Sequence, residues 1–174
     1  MNFFTFIVQD WKANAGNTKG RIILFCFRMA NFCSTRRLYF FLGFLYIIFY
    51  RIMIEWVLGI EIPWNVKIGR NLRLFHGQGL VIHKKTVIGH NCTLRHCTTI
   101  GITQQADGLP GLSPVIGNHV DVGSNACIIG PVQIGDYVKV GSGTVVVKDV
   151  AANSTVVGNP GRVIRKEVQH GRTA

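Results

Sequence analysis

The sequence predicts an all-β fold, a parallel β-helix, preceded by a short N-terminal α-helical segment, and three observations carry that prediction. From Ile116 to Val150 an aliphatic residue recurs every six positions, at Ile116, Val122, Ile128, Ile134, Val140 and Val146. A small or β-branched residue follows four places later, at Val120, Ala126, Val132, Val138, Thr144 and Val150. Glycines stand directly after the aliphatic positions, at Gly117, Gly123, Gly135 and Gly141, where a short strand turns a corner and a Cβ would be in the way. A period of six fits neither the 3.6 of a helix nor the 2 of a hairpin strand. Coils of three six-residue sides satisfy it.

Residues 1–58 do not share the repeat and form the helical segment. Gly20 to Cys33 and Leu38 to Leu58 are rich in large apolar residues without alternation and read as two helices, separated by Ser34-Thr35-Arg36-Arg37. The charge-free run from Leu38 to Tyr50 is too short to span a bilayer, so the expectation is a buried or interfacial helix. Arg51 and Glu55 follow, four apart and able to pair along one helix face.

Residues 59–174 form the β-helix and its C-terminal tail. The repeat phase runs through Ile62, Ile68 and Leu74, resumes at Ile82, Ile88, Leu94 and Ile100, and resumes again at Ile116. Val66, Leu72, Thr86, Cys92 and Thr98 hold the companion position. Two residues too many fall between Leu74 and Ile82, in the string His76-Gly77-Gln78-Gly79. Between Ile100 and Ile116 the segment Gln104 to Pro114 reads as an extruded loop. Coils only stack on their neighbours, so binding surfaces are built where the register breaks. Eighteen residues per coil plus the two extra set Leu94 over Leu74 and therefore His96 over His76, about 4.8 Å apart in backbone.

Composition narrows the class. The hydrophobic content of 48% suits a continuous aliphatic core in a single solenoid domain. Five cysteines, with no C-x-x-C pair and three inside the repeats (Cys92, Cys97, Cys127), fit buried thiols in a reducing compartment. A formal charge of +11 is compatible with nucleic acid, an anionic membrane or a polyanionic small molecule. No recognition helix, zinc finger or aromatic RNA-binding motif is present, and the basic residues are scattered, which argues against nucleic acid. A local basic cluster does occur at Arg162, Arg165 and Lys166. The N-terminus lacks the small-residue cleavage site of a secretory signal, so the expected location is cytoplasmic, peripheral at the inner membrane.

The hexapeptides, the His76-Gly77-Gln78-Gly79 break and the tail Gly158-Asn159-Pro160-Gly161-Arg162-Val163-Ile164-Arg165 together resemble the hexapeptide-repeat acyltransferases. Within them the chain is most similar to the serine O-acetyltransferase branch, and in particular to the short colanic-acid-type exopolysaccharide acetyltransferases. The resemblance implies a left-handed β-helix, a homotrimer with active sites between subunits, and acetyl-CoA as acyl donor with no metal. His76 matches the family's general base. The family's orienting aspartate lies fifteen residues earlier, where this chain has Glu61. By local motif, Ser124 and Gly141 would contact the pantetheine arm of coenzyme A, and Lys148, Arg162 and Arg165 its phosphates, with Lys139 a further candidate in the same groove. The family tail reads G-N-P-A-R, and Gly161 replaces the alanine. The serine enzymes hold their amino acid with an arginine-histidine-proline string in the extruded loop. Here that stretch is Leu112-Ser113-Pro114, and the basic pair is gone.

The chemistry agrees with the residues. An alcohol attacking a thioester must lose its proton, and a histidine with an ordinary pKa near ~6.5 is matched to that task. A carboxylate on the far ring nitrogen would fix the tautomer and stabilise the imidazolium, the role expected of Glu61. His96, one rung away, is an acceptor-site candidate. Cys97 follows His96 but points to the opposite side of a strand, so it is expected in the core rather than as a nucleophile.

The leading expectation is O-acetylation of a sugar hydroxyl on an exopolysaccharide or its lipid-linked precursor, with peripheral membrane association through the apolar helix. Serine O-acetylation for cysteine synthesis is the alternative, with a small hydroxyl compound as acceptor. A more distant reading is a metal hydrolase of the γ-carbonic-anhydrase type, drawing ligands from His83, His90, His96 and His119, although the H-x-x-x-x-H spacing of that family is absent. A non-catalytic trimeric scaffold is the remaining class.

Overall fold

The computed structural model describes residues 2–35, 37–104, 109 and 111–166. Strands two to five residues long wind into a three-faced solenoid. The first face carries β1 (Lys67–Ile68), β4 (Val87–Ile88), β7 (Val115–Ile116) and β10 (Gln133–Ile134). The second carries β2 (Arg73–Phe75), β5 (Thr93–Arg95), β8 (Asp121–Val122), β11 (Lys139–Val140) and β13 (Ser154–Val157), closed by β14 (Arg162–Lys166). The third carries β3 (Val81–Ile82), β6 (Thr99–Gly101), β9 (Cys127–Ile129) and β12 (Val145–Val146). Every pairing between named strands is parallel except β13 with β14. This is the expected left-handed parallel β-helix.

The repeat positions fill the core. Leu74, Leu94, Ile100, Ile116, Val122, Ile128 and Ile134 are buried in one cluster with the companion residues Val120, Ala126, Val132 and Val138. The glycines after the aliphatic positions answer to the next coil rather than to a left-handed backbone. A Cβ on Gly123 would stand 2.5 Å from the amide nitrogen of Ser142, one coil on. Left-handed turns fall instead on Asn71, Asn91, His119, Asn125, Tyr137 and Asn153, where asparagine tolerates positive φ better than most residues.

The N-terminal segment holds α1 (Phe3–Ile7), α2 (Thr18–Cys33) and α3 (Arg37–Tyr50). The helix read from Leu38 to Leu58 is α3 together with its continuation. Seven π-helical residues, Arg51–Val57, continue it without a break, giving a 21-residue helix long and apolar enough to cross a membrane. The charges that ended the apolar run do not end the helix, because Arg51 Nε donates to Glu55 Oε2 at 3.1 Å.

The segment also closes the open end of the solenoid, a role the sequence did not disclose. The edge of β2 is met by side chains in place of a strand. Asn14 Nδ2 donates to Leu72 O at 2.7 Å, Leu74 N donates to Asn14 Oδ1 at 3.0 Å, and Asn17 Nδ2 donates to Leu74 O at 2.7 Å. Leu72 N donates to Asp10 Oδ1 at 2.9 Å. Arg28, buried, donates to Asp10 Oδ2 at 2.7 Å and to the carbonyls of Ile68 at 2.8 Å and Gly69 at 2.6 Å. Unpaired edge groups are templates for further strands, and here the first coil's are occupied.

Candidate active site

The register converts the first break into a site. Leu74 pairs with Leu94, Thr93 with Asp121, and Asp121 with Lys139. Counting forward from those pairs, His76, His96, Ser124 and Ser142 form one column at the corner between the second and third faces. The imidazoles of His76 and His96 meet edge to face, with ring centroids 5.6 Å apart and planes at 79°. Further along, Ser124 Oγ lies 3.4 Å from Ser142 Oγ.

The two extra residues are absorbed by left-handed backbone at His76 (φ 67°), Gly77 (φ 77°) and Gly79 (φ 67°). Glycine takes that conformation without strain. His76, which does not, is held there by the turn and stands exposed at the corner. His96 is half-buried, and its Nδ1 is a buried ring nitrogen with no hydrogen-bond partner among the described residues. An orphaned buried nitrogen costs free energy unless a ligand or a neighbouring subunit meets it.

Glu61 opens the third face, bridged in parallel to Val81, with its amide donating to Leu80 O at 2.8 Å. Its side chain is exposed in a groove of about 280 Å³ shared with Arg51, Trp64 and Lys84. Among the described residues no hydrogen bond joins Glu61 to His76.

At the far end of the solenoid Lys148 and Arg162 share a groove of about 260 Å³ with Asp149, Pro160 and Gly161. Asp149 Oδ1 accepts from Gln133 N at 2.8 Å, so that carboxylate is already engaged with backbone. Gly161 N donates to Val145 O at 2.7 Å, and a Cβ there would lie 3.0 Å from Val156 Cγ2. Glycine in place of alanine lets the tail fold tightly onto β12 and β13. Gly141 is similarly close to β13, a Cβ falling 2.8 Å from Val157 Cγ1. Lys139 lies on the second face between Asp121 and Thr155 and is not among the residues that line the groove of Lys148 and Arg162. The backbone of Arg165 pairs with Thr155; its side chain lies outside the described residues, as do Gln105 to Gly108 and Pro110 of the extruded loop.

His90 and His119 sit on adjacent rungs, with His119 N donating to His90 O at 2.8 Å, and line one polar pocket with Asp136. His90 Nδ1 accepts from Arg70 N at 2.9 Å, and His119 stacks on Tyr137 at 4.5 Å. His83 Nδ1 lies 2.8 Å from Ser113 Oγ and ties the extruded loop to the first face's corner. Burial first, then Lys84 and Lys85, hold that imidazole below the usual histidine range, favouring the neutral ring. Nothing in the sequence linked residues thirty apart across a loop. Among the described residues no three His, Cys, Asp or Glu side chains gather to hold a metal ion. Cys97 is a correction. It is exposed, not in the core, because it occupies a left-handed corner (φ 55°) rather than an inward strand position. Its Sγ stands where Gly79 lacks a side chain, 3.2 Å from a Cβ built there. Cys92 is buried as expected.

Among known proteins, WcaB of Escherichia coli K12, named as a colanic acid biosynthesis acetyltransferase, is 37% identical over 132 residues, covering 74% of this chain and 80% of that one. The serine acetyltransferase of Helicobacter pylori 26695 is 38% identical over 111 residues, 64% of this chain and 61% of the relative. The crystal structure of the Neisseria gonorrhoeae serine acetyltransferase superposes with a TM-score of 0.78 at 27% identity, covering 96% of this chain and 68% of that one. No family model matches. A β-solenoid with paired histidines at a register break and this kinship define an acyl-CoA-dependent acetyltransferase. The chain belongs to the hexapeptide-repeat acyltransferases, in the branch that holds the serine O-acetyltransferases and the colanic-acid-type acetyltransferases.

Proposed function

We propose that the protein transfers the acetyl group of acetyl-CoA to a sugar hydroxyl of an exopolysaccharide or its lipid-linked precursor, directly, within a ternary complex. The observation that carries this reading is the extruded loop. Where the serine enzymes set a basic pair to hold an amino acid carboxylate, this chain has Leu112 and Ser113, and Ser113 is engaged with His83. A loop without that basic pair suits an acceptor that carries no carboxylate.

In the proposed reaction His76 removes the proton of the acceptor hydroxyl as its oxygen attacks the thioester carbonyl carbon. The tetrahedral intermediate collapses with cleavage of the C–S bond, and the imidazolium returns its proton to the departing CoA thiolate. Glu61 is assigned to His76 as the orienting carboxylate, brought onto the ring when the cleft is complete. His96 helps to bind the acceptor. Ser124 and Gly141 follow the pantetheine arm, while Lys148, Arg162 and Arg165 meet the phosphates. The working unit is a homotrimer, since a single solenoid leaves the His76 corner open on one side; light scattering that returned a fully active monomer would remove this part of the reading.

Serine O-acetylation is the second reading, favoured by the carboxylate fifteen residues before His76 and by the solved relatives. Release of free CoA, followed with serine in one assay and with deacetylated exopolysaccharide oligomers in another, separates the two. Turnover on the oligomers alone is the expected result, and turnover on serine alone would overturn it. A chain that fails to bind acetyl-CoA would instead be a scaffold.

A further inference from the structure

The helix Arg37–Val57 is apolar on nearly every side, yet only 17% of its most apolar window is buried. Ile47, Tyr50 and Ile54 dock it against the first coil, where Tyr50 Oη donates to Ile62 O at 2.7 Å. The rest is open. Leu38, Phe41, Leu45 and Trp56 are exposed on the far side, Phe41 at 81% and Leu45 at 78%, while Phe40 and Phe44 are exposed on the flank. At 100° per residue the exposed apolar residues of the α-helical part, from Phe40 round to Leu42, cover roughly 200° of the helix. A helix packed against protein shows an apolar stripe only somewhat more than about 100° wide.

We propose that this helix lies in the plane of an anionic phospholipid surface and anchors the enzyme there as a monotopic protein. Lipid surrounds what it embeds, whereas a second copy would cover one stripe. The net charge of +11 and the exposed Arg37 at the helix start complement anionic headgroups. The docking through Ile47, Tyr50 and Ile54 sets the orientation. An upright helix would drag the first coil, with its exposed Lys67, Arg70 and Arg73, toward hydrocarbon where an unpaired charge is costly. The Arg51–Glu55 pair sits on the solenoid side, Arg51 stacking 5.5 Å from the Trp64 ring, so neither charge needs to enter lipid. The inference goes beyond acetyl transfer and does not depend on which acceptor is used.

Flotation of the full chain with vesicles of phosphatidylcholine mixed with phosphatidylglycerol tests it without any acceptor. The wild type is expected to float, and the double variant Phe41→Asp/Leu45→Asp to partition more than about tenfold less, since each change sets a charge where lipid should be. Acetyl-CoA binding should be the same in both. Wild-type protein remaining in the dense fraction would overturn the proposal. So would light scattering in which the wild type forms a larger oligomer that the variant cannot, because a second copy would then be the occupant. Trp56 reports depth independently in the wild type. The part of the fluorescence lost in Trp56→Phe should be quenched most by lipids brominated near the headgroup, and quenching confined to bromines at the bilayer centre would exclude the in-plane orientation.

Discussion

The ring of His96 stands over that of His76 at 5.6 Å, edge to face, one coil apart at the site of a two-residue register shift. The pair makes the two histidines separable by kinetics. His76→Ala is expected to lower kcat by roughly 10² to 10⁴ fold, the range for loss of a positioned base, with acetyl-CoA binding near wild type. His96→Ala should raise the acceptor KM more than it lowers kcat. If the effects are exchanged, so are the roles.

Glu61→Gln removes the charge assigned to the His76 imidazolium and keeps the volume. A fall in kcat smaller than that of His76→Ala is expected, with partial activity in Glu61→Asp. Kinetics of Glu61→Gln that match the wild type would assign the carboxylate to the groove of Arg51 and Lys84 instead.

Lys148 and Arg162 share one groove, so either alanine variant should raise the KM for acetyl-CoA and reduce the salt dependence of its binding. The loss should be smaller with dephospho-CoA, which lacks the 3′-phosphate. Lys139→Ala, outside that groove, should change acetyl-CoA affinity less than either. Equal losses with both cofactors would move Lys148 and Arg162 away from that phosphate.

Native-state alkylation should distinguish the thiols by their positions. Cys97, exposed beside His96, should react first and be protected by bound substrates. Burial pushes the Cys92 thiol up to about 11, so at neutral pH it stays protonated and should label only on unfolding. Mass spectrometry after timed N-ethylmaleimide exposure reads both, and early labelling of Cys92 would contradict its burial.

Asp10 and Arg28 form a buried ion pair that also caps the first coil. Asp10→Ala leaves the guanidinium uncompensated and should destabilise the fold by about 3–5 kcal/mol, measured by denaturant unfolding. Replacing both residues by apolar ones should cost less than the single change. A truncation starting near Glu61 should lose stability even in detergent, because the edge of β2 is then uncovered.

The hexapeptide period by itself determined the faces, the core and the stacking of His96 on His76, because in a solenoid each strand's neighbour is found by counting along the chain. The same counting located both register breaks and, through the tail, the groove of Lys148 and Arg162. Only the tertiary structure decided contacts that no period links. Asp10, Asn14 and Asn17 reach strands about sixty residues away, and His83 takes hold of Ser113 across the extruded loop. Cys97 shows the same limit within one residue. Its place in the repeat was legible, but whether its side chain faces core or solvent depended on the sign of φ at a corner, and Cys97 takes the left-handed corner that Asn125 and Gly143 take in the coils that follow.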